Sequence, residues 1–72
     1  MNYLYFVCYE HPGLICNTIL SINSRIEDSK NEEEALSWLR VAESKIEKKY
    51  GVKDVLIISY QYIGTEKEKQ SC

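Results

Sequence analysis

Cys8, His11 and Cys16 are the residues of this chain that come nearest to a chemical constellation. Thiolates and an imidazole in one short stretch are the donors of structural zinc sites and the makings of a cysteine nucleophile. Their spacing argues against both uses. A structural zinc takes four ligands, commonly with a closely spaced cysteine pair, whereas Cys8 and Cys16 are far apart and one histidine leaves the set short. A nucleophilic cysteine needs an oriented base and oxyanion donors, which strand positions do not supply. His11 reads instead as a turn residue beside Pro12. Gly13, Gly51 and Gly64 stand apart from one another, so no phosphate-cradling loop is present. The expectation is a protein that is not an enzyme and that carries no metal and no cofactor.

Charge is the second place to look. The formal net charge is −2, which argues against direct binding to nucleic acid, since that needs a basic surface to displace counterions. The distribution is uneven: Ile26 to Glu34 holds five acids and one lysine, whereas Arg40 to Lys53 holds five bases and two acids. Two readings of the acidic end stand side by side. Glu32, Glu33 and Glu34, with Glu27 and Asp28, form either an anion-mimicking patch for a basic groove or a solvated, well-capped helix start.

Aromatic residues offer a contact chemistry. In Met1-Asn2-Tyr3-Leu4-Tyr5-Phe6-Val7-Cys8-Tyr9, strand alternation puts Tyr3, Tyr5, Val7 and Tyr9 on one face and Leu4, Phe6 and Cys8 on the other. Leu4, Phe6 and Cys8 read as the core face. The tyrosine face reads as a broad, hydroxyl-tipped contact surface. Tyr60 and Tyr62 extend it if the register of their strand puts them there.

The elements that must position these residues follow from pattern. A chain of 72 residues is one domain, and one this small buries only about 60–65% of its unfolded surface. Apolar residues make up 44%, enough for a folded core. The first strand ends at Glu10-His11, and Pro12-Gly13 suits a type II turn. Leu14 to Ile22 is a second strand, so residues 2–22 form a hairpin. An odd-numbered loop sets Cys8 opposite Cys16 and brings Leu20 and Ile22 to the core face; a shift of one residue reverses the faces of the second strand.

Two helix starts are open: Ser29 capping with Glu32 three residues on, or Asn31 capping with Glu34. Ala35, Trp38, Leu39, Ala42, Ile46 and Tyr50 then share one face at helical spacing. Gly51 suits the helix end, and Lys48 and Lys49 complement its last turn. Asp54 to Ile63 is rich in β-branched and aromatic residues and reads as a third strand. The single domain spans 1–63 and residues 64–72 are expected to be a flexible tail.

The fold class is therefore α+β, with order β-β-α-β. A central first strand gives a three-stranded antiparallel sheet in order 2-1-3. One helix packs on one face and nothing remains to cover the other. An uncovered face carrying Tyr3, Tyr5 and Tyr9 is expected to be a partner-binding surface, taken up by a second copy in a homodimer or by a different protein. Three cysteines, Cys8, Cys16 and Cys72, cannot all pair within one chain. With no signal-peptide pattern and no apolar run near the ~20 residues of a membrane helix, the expectation is a reduced cytoplasmic protein without membrane contact.

In Tyr5-Phe6-Val7-Cys8-Tyr9, Gly13, Ala35-Leu36-Ser37-Trp38-Leu39 and Val55-Leu56-Ile57-Ile58-Ser59-Tyr60, the chain resembles small accessory proteins encoded by bacteriophages and prophages. These include anti-CRISPR proteins and other inhibitors of bacterial immunity. The resemblance runs over roughly residues 3–63 and lies in strand and apolar spacing. It implies a non-enzymatic inhibitor that binds a bacterial defence effector, blocking a nucleic-acid site or a conformational step. The alternatives are a small dimeric module that sequesters a nucleotide signal, with Lys45, Lys48, Lys49 and Lys53 as its available cations, and a structural or regulatory subunit.

Overall fold

Strand alternation, a tight turn and an amphipathic helix organise the described residues. In a computed structural model that describes residues 2–65, β1 (Tyr3–His11) and β2 (Leu14–Ile22) form the hairpin. A single 3₁₀ turn (Ile26–Asp28) leads to α1 (Glu32–Tyr50), and β3 (Leu56–Thr65) follows. The sheet order is β2-β1-β3 with both pairs antiparallel, so the α+β architecture and the 2-1-3 order read from the sequence hold.

Of the two helix starts, Asn31 is the one used. Its side chain accepts from the Glu34 N–H at 3.0 Å, and Glu34 reaches back to accept from the Lys30 N–H at 2.8 Å. Two of the orphan donors near the first turn are thereby satisfied. At the other end Gly51 takes a left-handed conformation (φ 67°), and its N–H donates to Glu47 O. The helix buries Trp38, Ala42 and Ile46 and packs Ala35 and Leu39 against the same core. Small Ala42 at the centre lets the helix axis come close to the sheet.

The face of the sheet that meets this helix is the reverse of the sequence expectation. Tyr5, Val7 and Tyr9 are buried, with Tyr5 and Val7 at 0% exposure, whereas Phe6 is 42% exposed. The reason lies in the turn. His11 pairs with Leu14, so the loop is the two residues Pro12-Gly13, with Gly13 at φ 90°. An even loop pairs Tyr5 with Leu20 and Tyr3 with Ile22, and sets Cys8 opposite Asn17, not Cys16. Leu20 and Ile22 thus join the core beside the tyrosines, with Leu4, Phe6 and Cys8 left on the far side. Cys8 and Cys16 point to opposite faces of the hairpin.

Strand β3 begins later and ends later than expected. Asp54 sits in the left-handed region (φ 59°), which aspartate tolerates, so pairing starts at Leu56. Two bulges, at Ile58 and Ile63, then let the strand run on through Gly64 and Thr65, which pair with Leu4 and Tyr3. The first two residues of the expected tail are therefore strand. The remainder of that tail, Cys72 included, lies outside the described residues.

Tyr5 joins three layers of the core. Its ring lies edge-on to Trp38 at 4.8 Å between centroids and 5.4 Å from Tyr62. Its hydroxyl donates to Glu27 Oε1 at 2.5 Å and accepts from the Ile26 N–H at 3.3 Å. Trp38 Nε1 donates to Ser24 O at 3.0 Å. The 3₁₀ turn is thus tied to the central strand, and the connection before it to the helix. Tyr5→Phe keeps the ring but orphans the Ile26 N–H, and is expected to lower unfolding free energy by about 1–2 kcal/mol in urea titration.

Burial, and next the Glu27 carboxylate, push the Tyr5 phenol up to about 12 from an ordinary 10.0. Burial also raises Tyr9. The fold favours the neutral phenol, so this contribution is fully present below pH 10 and is lost as pH climbs towards 12. Spectroscopic tyrosinate titration is expected to show a late-ionising fraction that merges with unfolding; Tyr5→Phe removes part of it.

Candidate protein-interaction face

Register and alternation define the surface opposite the helix. On β1 it carries Leu4, Phe6, Cys8 and Glu10; their partners are Ser21, Ile19, Asn17 and Ile15 on β2. On β3 it carries Leu56, Ser59 and Gln61. Tyr62 and Ile57 pack on the core, so alternation turns the neighbouring bulge residues Ile63 and Ile58 to the open side as well. Ile15 is 69% exposed and Ile19 50%; Leu56, Ile58 and Ile63 are exposed to a similar degree. Phe6 lies near the middle, between Ile19 and Gln61. The result is a largely aliphatic face, crossed by the polar row Asn17-Cys8-Ser59 and with one charge, Glu10, near its end. A monomeric soluble protein seldom leaves such a patch open.

The predicted tyrosine surface is elsewhere. Tyr5 and Tyr9 are core residues, and Tyr3 is half-buried against Tyr62 at 6.2 Å. Tyr62 lies under the Arg25 guanidinium, 4.9 Å from its ring centre. Tyr60 is exposed, but its ring edges the covered layer, 5.8 Å from Trp38. Tyr3, Tyr5, Tyr60 and Tyr62 do come together, as an aromatic cluster under and beside the helix. Tyr9 sits apart, with its ring 6.3 Å from that of Tyr50. The open-face readings of Tyr3, Tyr5 and Tyr9 are therefore corrected: aromatic rings fill the core while their hydroxyls reach its polar rim. Tyr50 shows the same device, its hydroxyl 2.5 Å from buried Thr18 Oγ1.

Of the acidic end, Glu34 serves as a capping residue, and Glu27 accepts from Tyr5 with Arg25 Nε at 3.8 Å. Glu32 and Glu33 stand exposed in the first turn. Beside the helix start lies a shallow depression of about 340 Å³ bordered by Ser24, Arg25, Asp28 and Trp38. A second depression, of about 470 Å³, runs between the last turns of the helix and edge strand β2, where Lys45, Lys48 and Lys49 meet Ile19, Leu20 and Ser21.

The two sheet edges differ. At β3 the helix intervenes: Glu47 accepts from the Val55 N–H at 3.2 Å and Glu43 from the Ile57 N–H at 3.3 Å. At β2 the three lysines stand over the edge. Among the described residues, no group of three or more His, Cys, Asp or Glu side chains gathers as metal ligands, and no helix is long and apolar enough to cross a membrane. Compared with known proteins, the chain matches no family model, no curated protein and no solved structure.

The face assignment makes neighbouring residues of β2 respond oppositely. Ile19→Lys is expected to retain the native circular dichroism spectrum, because its side chain leaves the open face. Leu20→Lys is expected to abolish folding, because it buries an unpaired charge among Tyr5 and Ile46.

Proposed function

We propose that this chain is a non-enzymatic inhibitor of a bacterial defence effector, acting in the bacterial cytoplasm by stoichiometric protein–protein binding that blocks a nucleic-acid site or a conformational step. The observation that carries the binding part of this reading is the largely aliphatic sheet face opposite the helix, with Glu10 as its one charge. A surface of that kind is suited to holding a protein partner and offers little to a polar small substrate. The resemblance to phage-encoded anti-CRISPR and anti-defence proteins supplies the class of target. Glu32 and Glu33 add an exposed negative charge at the helix start, of the sign that a basic nucleic-acid groove accepts.

The test is to express the chain in bacteria that each carry one defined CRISPR or other anti-phage system. Restored phage plating is expected against one system. The purified effector of that system should then be inhibited to an endpoint at a fixed molar ratio. Replacing Glu32 and Glu33 by lysine is expected to weaken that complex by about tenfold, and added salt to weaken the wild-type complex. Undiminished defence in every strain, with no complex formed by any of the purified effectors, overturns the reading.

Lys45, Lys48 and Lys49 around one depression favour a second reading, capture of a nucleotide signal between subunits. A rise in melting temperature with cyclic or linear nucleotides, lost in Lys48→Glu, distinguishes it from the first.

A further inference from the structure

We infer that the open sheet face is closed by a second copy of this chain, forming a symmetric face-to-face dimer with the two helices on the outside. The inference rests on the reading of this face as a contact surface and not on the class of effector. Charge selects the occupant. The basic groove of a nucleic-acid-handling effector asks for negative charge. Glu32 and Glu33 supply it at the helix start, which a dimer through the sheet leaves free, whereas this face offers Glu10 alone, at one end. A neutral face is complementary to itself. About a two-fold axis near Phe6 and across the strands, Phe6 and Ile19 meet their own counterparts and the row Asn17-Cys8-Ser59 faces the row Ser21-Leu4-Gly64. The two Glu10 residues lie at opposite ends, where neither repels the other.

Dimensions agree with such a pair. A face three strands wide and nine residues long projects to roughly 14 by 30 Å. With side-chain relief it offers on the order of 600 Å² per copy, so a pair hides about 1,200 Å², the lower bound of a stable interface. The subunit measures 38 × 32 × 17 Å. Stacking two copies across the thin dimension gives a body about as thick as it is wide. Packed sheets stand about 10 Å apart with strands some 30° from parallel, which lets Phe6 and Ile19, in the central row, interdigitate with their counterparts.

The edges argue against the other way two such sheets could join. Pairing of β2 with β2 would bring two sets of Lys45, Lys48 and Lys49 together, an arrangement in which lysines block edge association. At β3 the Ile57 N–H is already held by Glu43, the Val55 N–H just before the strand by Glu47, and the bulges at Ile58 and Ile63 break the regular edge. Face-to-face closure is what remains.

Sedimentation equilibrium on the full chain, kept reduced, tests this. The expected result is a dimer at micromolar concentration. Phe6→Glu and Gln61→Arg each place two like charges at the middle of the interface and are expected to raise the dissociation constant by at least about tenfold. Gln61 is already polar and exposed, so its substitution reads out even if Phe6→Glu fails to fold. Arg40→Glu, exposed on the helix away from this face, should leave the dissociation constant within a factor of about two, as expected for a change outside the interface. A monomer at all concentrations up to the millimolar range overturns the inference, as does a dimer indifferent to Gln61→Arg. If the chain is monomeric and Gln61→Arg instead abolishes effector inhibition, the face belongs to the effector: the dimer fails and the inhibitor reading stands. A dimer that inhibits no effector leaves the opposite outcome.

Discussion

Everything in this small fold turns on how the Tyr5 side chain is accommodated. It projects from the central strand into the helix layer, where its ring meets Trp38 and Tyr62, and it ends in a hydroxyl that must be satisfied. The 3₁₀ turn satisfies it from both sides, with Glu27 accepting and the Ile26 N–H donating. One residue therefore ties the central strand to the connection and to the helix, and fixes where Ile26–Asp28 must pass. A leucine there would bury apolar area without dictating the path of Ile26–Asp28.

The elements and their order were legible in the sequence because they depend on local signals. Asn31, Gly51 and the spacing from Ala35 to Ile46 specify the helix; Pro12-Gly13 and the β-branched run at Val55 specify turn and strand. Which face of β1 turns inward was not legible from β1 alone. Leu4 and Phe6 are more apolar than Tyr3 and Tyr5, so residue hydrophobicity favours the wrong side. The deciding information lies across the ladder. A two-residue loop aligns Phe6 and Cys8 with Ile19 and Asn17, and β3 adds Gln61 and Ser59 to the same face, whereas Tyr3 and Tyr5 align with Ile22 and Leu20. Summed over three strands, the Phe6 side is the more polar one. The bulges at Ile58 and Ile63 have no local signature, which is why the expected strand stops at Ile63 and the observed one runs on to Thr65.

The same shift changes what the candidate surface is made of. An uncovered sheet face follows from counting elements, and it is present. Its chemistry is aliphatic, with Phe6 at the middle, and the aromatic hydroxyls that would have made it wettable are used inside. The sheet's edges are treated differently from its face: Glu43 and Glu47 occupy backbone donors at β3, and lysines stand over β2.

The sheet order has a consequence for synthesis. The middle strand is made first, and its hairpin partner follows after a two-residue turn, so one side of β1 is paired early. Its other side pairs with the last strand described, Tyr3 meeting Thr65 across nearly the whole sequence. The helix cannot complete the core until that strand arrives, since Val55 and Ile57 belong to it. During synthesis, Tyr5 and its neighbours must wait with a bare edge until β3 has been made, so closure of the fold depends on its most distant contact in sequence.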